Sequence, residues 1–451
     1  MEAFENFYFE DFEFDYNTLQ AKLRYSFDEK KYFEEIISFD DDNFIKRKNI
    51  DENIINNILF SLHIAFGISY YKFFPTKKLY VKTGFLDEYQ MEFWKKFYLN
   101  GLGEFFYTNN FSPVGLINFE NISTKKFQKI DYEVSKKSLV PIGGGKDSIV
   151  SIELLKQIGE QIDLFTFSSK DNILYENTQI NSGLNRLFVK RELSKNILEM
   201  INSGYYNGHV PITGLIAFVL QMVSYIYDYK YLVLSNEKSA NFGNTFWEGI
   251  EVNHQWSKSL DFEVDFGKYI EKYISSNTKY FSLLRPFYEI KISELFSKKA
   301  QKYFNNFSSC NTNFKILKKF EKNTYWCENC PKCGFVFIIL SAFLDENELL
   351  KIFSKNLYND ENLFELFKEL AGISGIKPFE CVGTNQEVVY ALVEAIKKYD
   401  ENNLPKFLKY FKDNHLSKVD IEVLKNELFE YDLNQSIIPK YFIKKLLIIK
   451  I

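Results

Sequence analysis

Apolar and polar positions change their period twice along this chain. Up to about residue 135, aromatic and acidic residues alternate, as in Phe4-Glu5-Asn6-Phe7-Tyr8-Phe9-Glu10 and Phe12-Glu13-Phe14-Asp15-Tyr16. A period of two predicts half-buried strands. Asn53–Phe66 follows with apolar residues at helical spacing. From Leu139 the character changes. A short apolar strand, Leu139–Ile142, runs into three glycines, then into a segment whose apolar residues at 150, 154 and 158 share one helical face, then into a second apolar strand, Ile162–Phe167. Strand, glycine turn, helix and strand make a βαβ unit, the start of a parallel sheet. Thr213–Tyr227 predicts a buried helix, Tyr231–Leu234 another inner strand and Gly334–Leu344 a further apolar helix, and residues 345–451 read as helical hairpins, clearest at Glu387–Tyr399 and Glu422–Tyr431.

The predicted fold class is therefore α/β. A strand-containing, aromatic-rich N-terminal recognition domain (1–135) precedes an open parallel sheet (136–340) and a helical C-terminal region (341–451). Open sheets of this kind bind ligands beyond the carboxyl ends of their strands, so the turns after Ile142, Phe167 and Leu234 are expected to share one crevice.

Composition narrows the class. The chain has 451 residues, 46% hydrophobic and 26% charged, which excludes wholesale disorder. A balance of 56 Lys+Arg against 60 Asp+Glu gives a net charge of −4, and no nucleic-acid partner is expected. The apolar runs Gly214–Tyr227, interrupted by Gln221 and Ser224, and Cys333–Leu344 fall short of the ~20 residues of a membrane-spanning helix. The acidic start Met-Glu-Ala-Phe-Glu lacks the basic and apolar regions of a signal peptide. Five cysteines do not make a disulfide framework in a chain of this length. The expectation is a cytoplasmic protein with no membrane partner.

The sharpest motif is Pro141-Ile142-Gly143-Gly144-Gly145-Lys146-Asp147-Ser148. Glycines let backbone N–H groups converge on phosphate oxygens, and the helix that follows adds its positive dipole end. Lys146 supplies a point charge and Ser148 a hydroxyl, while Asp147 is suited either to capping the helix or to holding Mg²⁺ against the phosphates. A Walker A loop would need Gly at 140 and Ser or Thr directly after the lysine, where Val140 and Asp147 stand. A dinucleotide fingerprint starting at Gly143 would need Gly or Ala at 148, the place of Ser148. The pattern instead resembles the PP-loop of the ATP pyrophosphatase superfamily, Ser-Gly-Gly-x-Asp-Ser, with Gly143 in place of the first serine. That resemblance implies cleavage of ATP between its α and β phosphates.

Cys327-x-x-Cys330-x-x-Cys333, with Cys310 upstream, offers four soft ligands suited to a tetrahedral structural zinc. A ferredoxin-type run would want a cysteine at 337, where Phe337 sits. The alternative is a set of buried thiols at a helix start. Two polar stretches after the strand at 231–234 are candidates for substrate contact: Ser235–Asn241, with Glu237 and Lys238, and Glu251–Lys258, with Asn253, His254 and Lys258. Glu237 and His254 are acid or base candidates, and Lys238 and Lys258 suit carboxylate or phosphate. Arg285 is either a bidentate substrate clamp or a structural ion pair. His209 precedes the buried helix, with a capping contact as the alternative role. Cys381 stands apart from the cluster at a turn before a helix, where a thiol can become a thiolate suited to proton transfer or stay an inert buried group. Thr384-x-x-Glu387 reads as a capping box.

Taken together, Val140–Ser148, Ser235–Asn241, Asn253–Lys258, Arg285-Pro286, Ser309-Cys310-Asn311, Cys327–Phe337 and Phe379–Thr384 resemble the UDP-N-acetylmuramoyl-L-alanyl-L-glutamate epimerase (MurL) family. The resemblance spreads over roughly the last three hundred residues. It implies an ATP- and Mg²⁺-dependent inversion of the terminal L-glutamate of a UDP-muramoyl dipeptide, with release of AMP and diphosphate, in peptidoglycan precursor synthesis. The loop 143–148 would hold phosphates and metal, and Lys146 would stabilise the leaving diphosphate. Cys381, Glu380, His254 and Glu237 are the nominees for acid and base, and Lys238, Asn253, Lys258 and Arg285 for substrate contacts. The rival reading is a PP-loop enzyme that adenylates a nucleobase or carbonyl and then admits ammonia or sulfur, as deazaguanine synthases do.

Overall fold

The four phenylalanines of the first strand, Phe7, Phe9, Phe12 and Phe14, change parity halfway. In a regular strand they would point to opposite faces. The computed structural model, which describes residues 2–312, 325–433 and 436–449, resolves the conflict with a β-bulge. In β1 (Asn6–Asp15), Phe9 pairs with Tyr25 of β2 (Gln20–Phe27) and Asp11 with the next residue, Arg24, leaving Glu10 as the extra residue. The bulge returns Phe12 and Phe14 to the apolar side occupied by Phe7 and Phe9.

β3 (Lys31–Ser38) completes an antiparallel meander and pairs antiparallel with β8 (Arg186–Glu192) through Ile36–Ser38. The N-terminal strands therefore extend the same sheet as the glycine-turn unit. The other strands are β4 (Lys78–Val81), β5 (Asn118–Asn121), β6 (Ser138–Pro141), β7 (Ile162–Ser168), β9 (Tyr231–Leu234) and β12 (Lys279–Ser282), with a separate hairpin of β10 (Thr245–Trp247) and β11 (Ile250–Val252). Among the described residues, the main sheet has ten strands in the order β12-β9-β6-β7-β8-β3-β2-β1-β4-β5. The half containing β12, β9, β6, β7 and β8 is parallel throughout. A buried ion pair between Arg191 and Glu35 (2.5 Å), with the Tyr70 hydroxyl donating to the same carboxylate (2.7 Å), fastens the β3–β8 junction.

Neighbouring residues of the parallel strands enter opposite cores. Leu139, Leu232 and Leu234 join the core built on the N-terminal strands, α1 (Glu52–Tyr71) and the helix Ile212–Tyr227. Val140, Tyr231 and Val233 join a second core with α4 (Lys146–Gln157) and the C-terminal helices. Burial on both faces is why these strands read as short continuous apolar runs. Helix α1 exceeds either apolar run singled out from the sequence: its 20 residues, with an 18-residue window at a mean hydropathy of 1.3, have the length and composition to cross a membrane. It is instead a core helix, with nearly every residue buried. Two further N-terminal helices, α2 (Glu88–Gly101) and α3 (Gly103–Thr108), reach toward the β10–β11 hairpin.

Candidate active site

The glycine turn is held by contacts that leave one side open. Gly144 adopts φ +80°, and a Cβ there would come within 2.9 Å of Leu174 Cβ and 3.4 Å of the Ser308 carbonyl oxygen. Only glycine fits that conformation and approach. Its carbonyl accepts from the Ser308 N–H at 2.9 Å. Gly143 has nothing within 4 Å of its Cβ direction and faces the crevice. Gly145 caps α4 without a side-chain hydrogen bond, so no capping side chain competes for the first-turn N–H groups.

The crevice, about 290 Å³, is lined by Gly143, Gly145, Asp147 and Ser148 from the turn and by Leu234, Ser235 and Asn236 from the end of β9. Lys258, Ser309, Asn311, Lys332 and Cys381 close it. The turns after β6 and β9 thus meet, as the sheet topology predicts. The turn after Phe167 does not line it. Asp171 of that turn is held by both terminal nitrogens of Arg186, at 2.9 and 2.7 Å. A larger cavity of about 770 Å³ carries Glu251, Asp261 and Asp265 against Lys268, a poor seat for phosphates.

Lys146 does not reach the crevice. Its ammonium is buried between Asp147 (2.5 Å) and Glu289 (a shorter contact), and those two carboxylates hold its pKa above the usual range against the opposing effect of burial. Burial also opposes ionisation of Asp147, yet Lys146, Lys332 and Lys258 keep its pKa below the usual carboxylate range. Glu289 is raised by burial and by Asp147. Oxygens of Asp147, Glu237 and Glu289 lie within 4.8 Å of one another, a hard oxygen donor set that fits Mg²⁺.

Arg285, 2% exposed, takes the structural alternative. It donates to Glu263 at 3.0 and 2.7 Å, to the Glu237 carbonyl at 2.7 Å and to the Lys258 carbonyl. Its contacts fix both polar stretches beside the crevice. Asn253 is likewise spent on local bonds, to the Ala240 carbonyl and from the Gln255 N–H. Lys238 lies over the Tyr288 ring at 4.6 Å. The Thr384–Glu387 capping box is present, and Glu387 also accepts from Ser239 and from the Ile290 N–H.

Cys381 sits among cations. The Lys258 ammonium donates to its sulfur at 3.3 Å and Lys332 to its carbonyl, and the His254 imidazole lies beside the sulfur. Burial opposes ionisation, but Lys258, His254 and Lys332 together bring its pKa down to about 5. His254 also hydrogen-bonds Glu104 of α3, and Cys381 and Glu104 overcome burial to raise the imidazole to about 10. Next to it, His209, whose ring is 4.5 Å from that of His254, is held well below its usual value by burial and by His254. Glu380 is raised to about 7 by burial.

The four cluster cysteines converge. Sulfur separations are 3.4 Å (Cys330–Cys333), 3.7 Å (Cys327–Cys333) and 3.9 Å (Cys310–Cys330). A tetrahedron with ~2.3 Å metal–sulfur bonds has edges of about 3.8 Å, so the set fits zinc with no position left open. Cys310 lies two residues from Ser308, which ties the cluster to the glycine turn.

Glu104, Glu289 and Lys332 were not singled out by the sequence motifs. Glu104 lies in an aromatic-rich helix far upstream, Glu289 opens a helix, and Lys332 hides between two cysteines.

The family model of the MurL N-terminal domain matches residues 1–283, and that of the MurL C-terminal domain matches residues 306–420. Three relatives carry the name UDP-N-acetyl-alpha-D-muramoyl-L-alanyl-L-glutamate epimerase. One from Xanthomonas oryzae pv. oryzae is 33% identical over 392 residues, 86% of each chain. One from Salinispora tropica is 32% identical over 86% of this chain and 84% of its own. One from Micromonospora sp. is 33% identical over 75% and 74%. With both domain models matched in order and a third of residues shared over most of the length, the chain belongs to the MurL epimerase family.

Proposed function

We propose that this protein inverts the terminal L-glutamate of UDP-N-acetylmuramoyl-L-alanyl-L-glutamate to D-glutamate, using ATP to adenylate the glutamate α-carboxylate and releasing AMP and diphosphate. The observation that carries the reading is the shared crevice, in which the glycine turn and an ionised thiol flanked by two lysines face the same 290 Å³ space.

A free carboxylate resists loss of its own Cα proton because the carbanion would carry a second negative charge. Adenylation neutralises it and makes that proton acidic. Backbone N–H groups of Gly143–Ser148 and the N-terminal end of α4 cradle the triphosphate. Asp147, Glu237 and Glu289 would hold Mg²⁺, which when bound offsets phosphate charge during diphosphate departure. Lys146 orders Asp147 and Glu289 from behind the cradle, while Lys258 and Lys332 supply positive charge within it. Cys381 takes the Cα proton on one face. Return of a proton on the other face, followed by attack of water on the acyl carbon, frees the D-product and AMP. The cysteine cluster, loaded with zinc, is structural and braces Ser308 against Gly144. Residues 1–135, which extend the sheet of the ATP-binding region 136–340, serve in substrate recognition, and 341–451 form the helical region.

Incubation with the L-glutamyl nucleotide, ATP and Mg²⁺, followed by chiral analysis, should yield D-glutamate, with deuterium at Cα when the solvent is D₂O. Diphosphate release without D-glutamate would reject the epimerase reading and favour another adenylating enzyme.

A further inference from the structure

We infer that Glu104, from the N-terminal half, and His254 form a relay that positions and charges Cys381, so that the proton-transferring thiolate depends on a residue more than two hundred positions upstream. The inference deepens the proposed function and rests on it for the role of Cys381.

Two glycines, Gly101 and Gly208, make the approach possible, and Gly103 sits in ordinary contact between them. A Cβ at Gly101 would fall 2.7 Å from the Pro211 ring, one at Gly103 would pack on Val252 of β11 at 3.8 Å, and one at Gly208 would lie 3.1 Å from Phe105. The start of α3 is thereby seated against segments 208–211 and 252–254. Glu104 Oε2 hydrogen-bonds His254 Nδ1, fixing the ring so that Nε2 is the nitrogen free for the thiolate. His209 Nδ1 lies 3.5 Å from the same carboxylate. Thiolate, imidazolium and carboxylate in series are the components of an activated cysteine.

The charged groups around Cys381 come from several elements. Lys258 and His254 follow the hairpin, Lys332 comes from the helix Pro331–Ser341, and Glu380 from its own segment. Asp147 and Glu237 act on it through Lys258, and Glu104 and His209 through His254. Loss of Glu104 removes one contribution of several. His254 stays protonated in the range where Cys381 titrates, so the loss acts through position: the ring, no longer held at Nδ1, turns away from the sulfur and its hold on the thiolate weakens.

The test is the pH dependence of Cys381 alkylation by iodoacetamide in the full-length protein without substrate, read by mass spectrometry of the peptide that contains it. Glu104→Gln should move the midpoint upward by about one pH unit, with roughly tenfold less thiolate on the acid side. Glu104→Asp should restore part of the shift. His254→Gln should move the midpoint at least as far, and serves if Glu104→Gln does not fold. Unchanged profiles in the folded variants would overturn the relay. Because the readout needs neither ATP nor substrate, a shifted profile in an enzyme that makes no D-glutamate would uphold the relay while removing the epimerase reading.

Discussion

Adding one methyl group to Gly143 or to Gly144 separates the two tasks of the glycine turn. At Gly144, alanine must adopt φ +80°, a left-handed conformation costing roughly 1–2 kcal/mol. Its Cβ must also displace Leu174, 2.9 Å away, with the Ser308 carbonyl at 3.4 Å limiting retreat. Overpacking of this kind costs about 1–3 kcal/mol. The sum, roughly 2–5 kcal/mol, is a large share of the ~5–15 kcal/mol that holds a typical protein folded. At Gly143 neither cost applies, because nothing lies within 4 Å and the backbone is outside the left-handed region. Alanine there should change stability by less than about 1 kcal/mol, and in the stabilising direction, by restricting the unfolded chain. Its methyl group, however, projects where the phosphates are proposed to lie. Urea unfolding and ATP titration of the two variants read both tasks. Gly144→Ala should unfold at markedly lower urea, while Gly143→Ala should unfold like the parent yet bind ATP at least tenfold more weakly. A Gly143→Ala protein with undiminished ATP affinity would refute the cradle, and a Gly144→Ala protein of parental stability would refute the close approach to Leu174.

Cys330→Ser should lose bound zinc, measured by elemental analysis, and lower the thermal midpoint; an unchanged midpoint would rule out a structural metal. The ion pair of His254 and Cys381 makes stability depend on pH. His254 has a raised value, so its contribution is complete below about 6.5, the unfolded value, and is lost as pH rises through about 10. Cys381 has a depressed value, so its contribution is complete above about 8.5 and is lost as pH falls through about 5. The urea-midpoint difference between parent and His254→Gln should accordingly shrink as pH rises through about 10. Arg285→Ala leaves Glu263 buried without its cation and should cost about 3–5 kcal/mol in urea unfolding. Recovery of less than half of that loss by Arg285→Lys would reflect the missing fork of donors.

Three strands of the parallel half, β6, β7 and β9, were legible because a strand buried on both faces has an unmistakable short apolar run, and because only a narrow set of turns needs consecutive glycines; β8, half-exposed and rich in charge, and the four-residue β12 carried no such run. The convergence of the cysteines was legible from their spacing, since three of the four lie within seven residues. Pairing of β3 with β8 was not legible, since alternation in Lys31–Ser38 specifies a half-buried strand without specifying its neighbour. Arg285 left two readings open until Glu263 was seen against it. Glu104 had no signal at all, being one carboxylate among many in an acidic, aromatic stretch, and the close approaches at Gly101 and Gly208 bring it to His254.

The central claim is that the glycine turn holds ATP so that AMP is transferred to the glutamate carboxylate. It is tested most directly with substrate carrying ¹⁸O in that carboxylate. Mass spectrometry of the nucleotide after turnover should find one ¹⁸O in AMP, carried over when water cleaves the acyl carbon–oxygen bond. AMP free of label, or ADP in its place, alongside D-glutamate would contradict it.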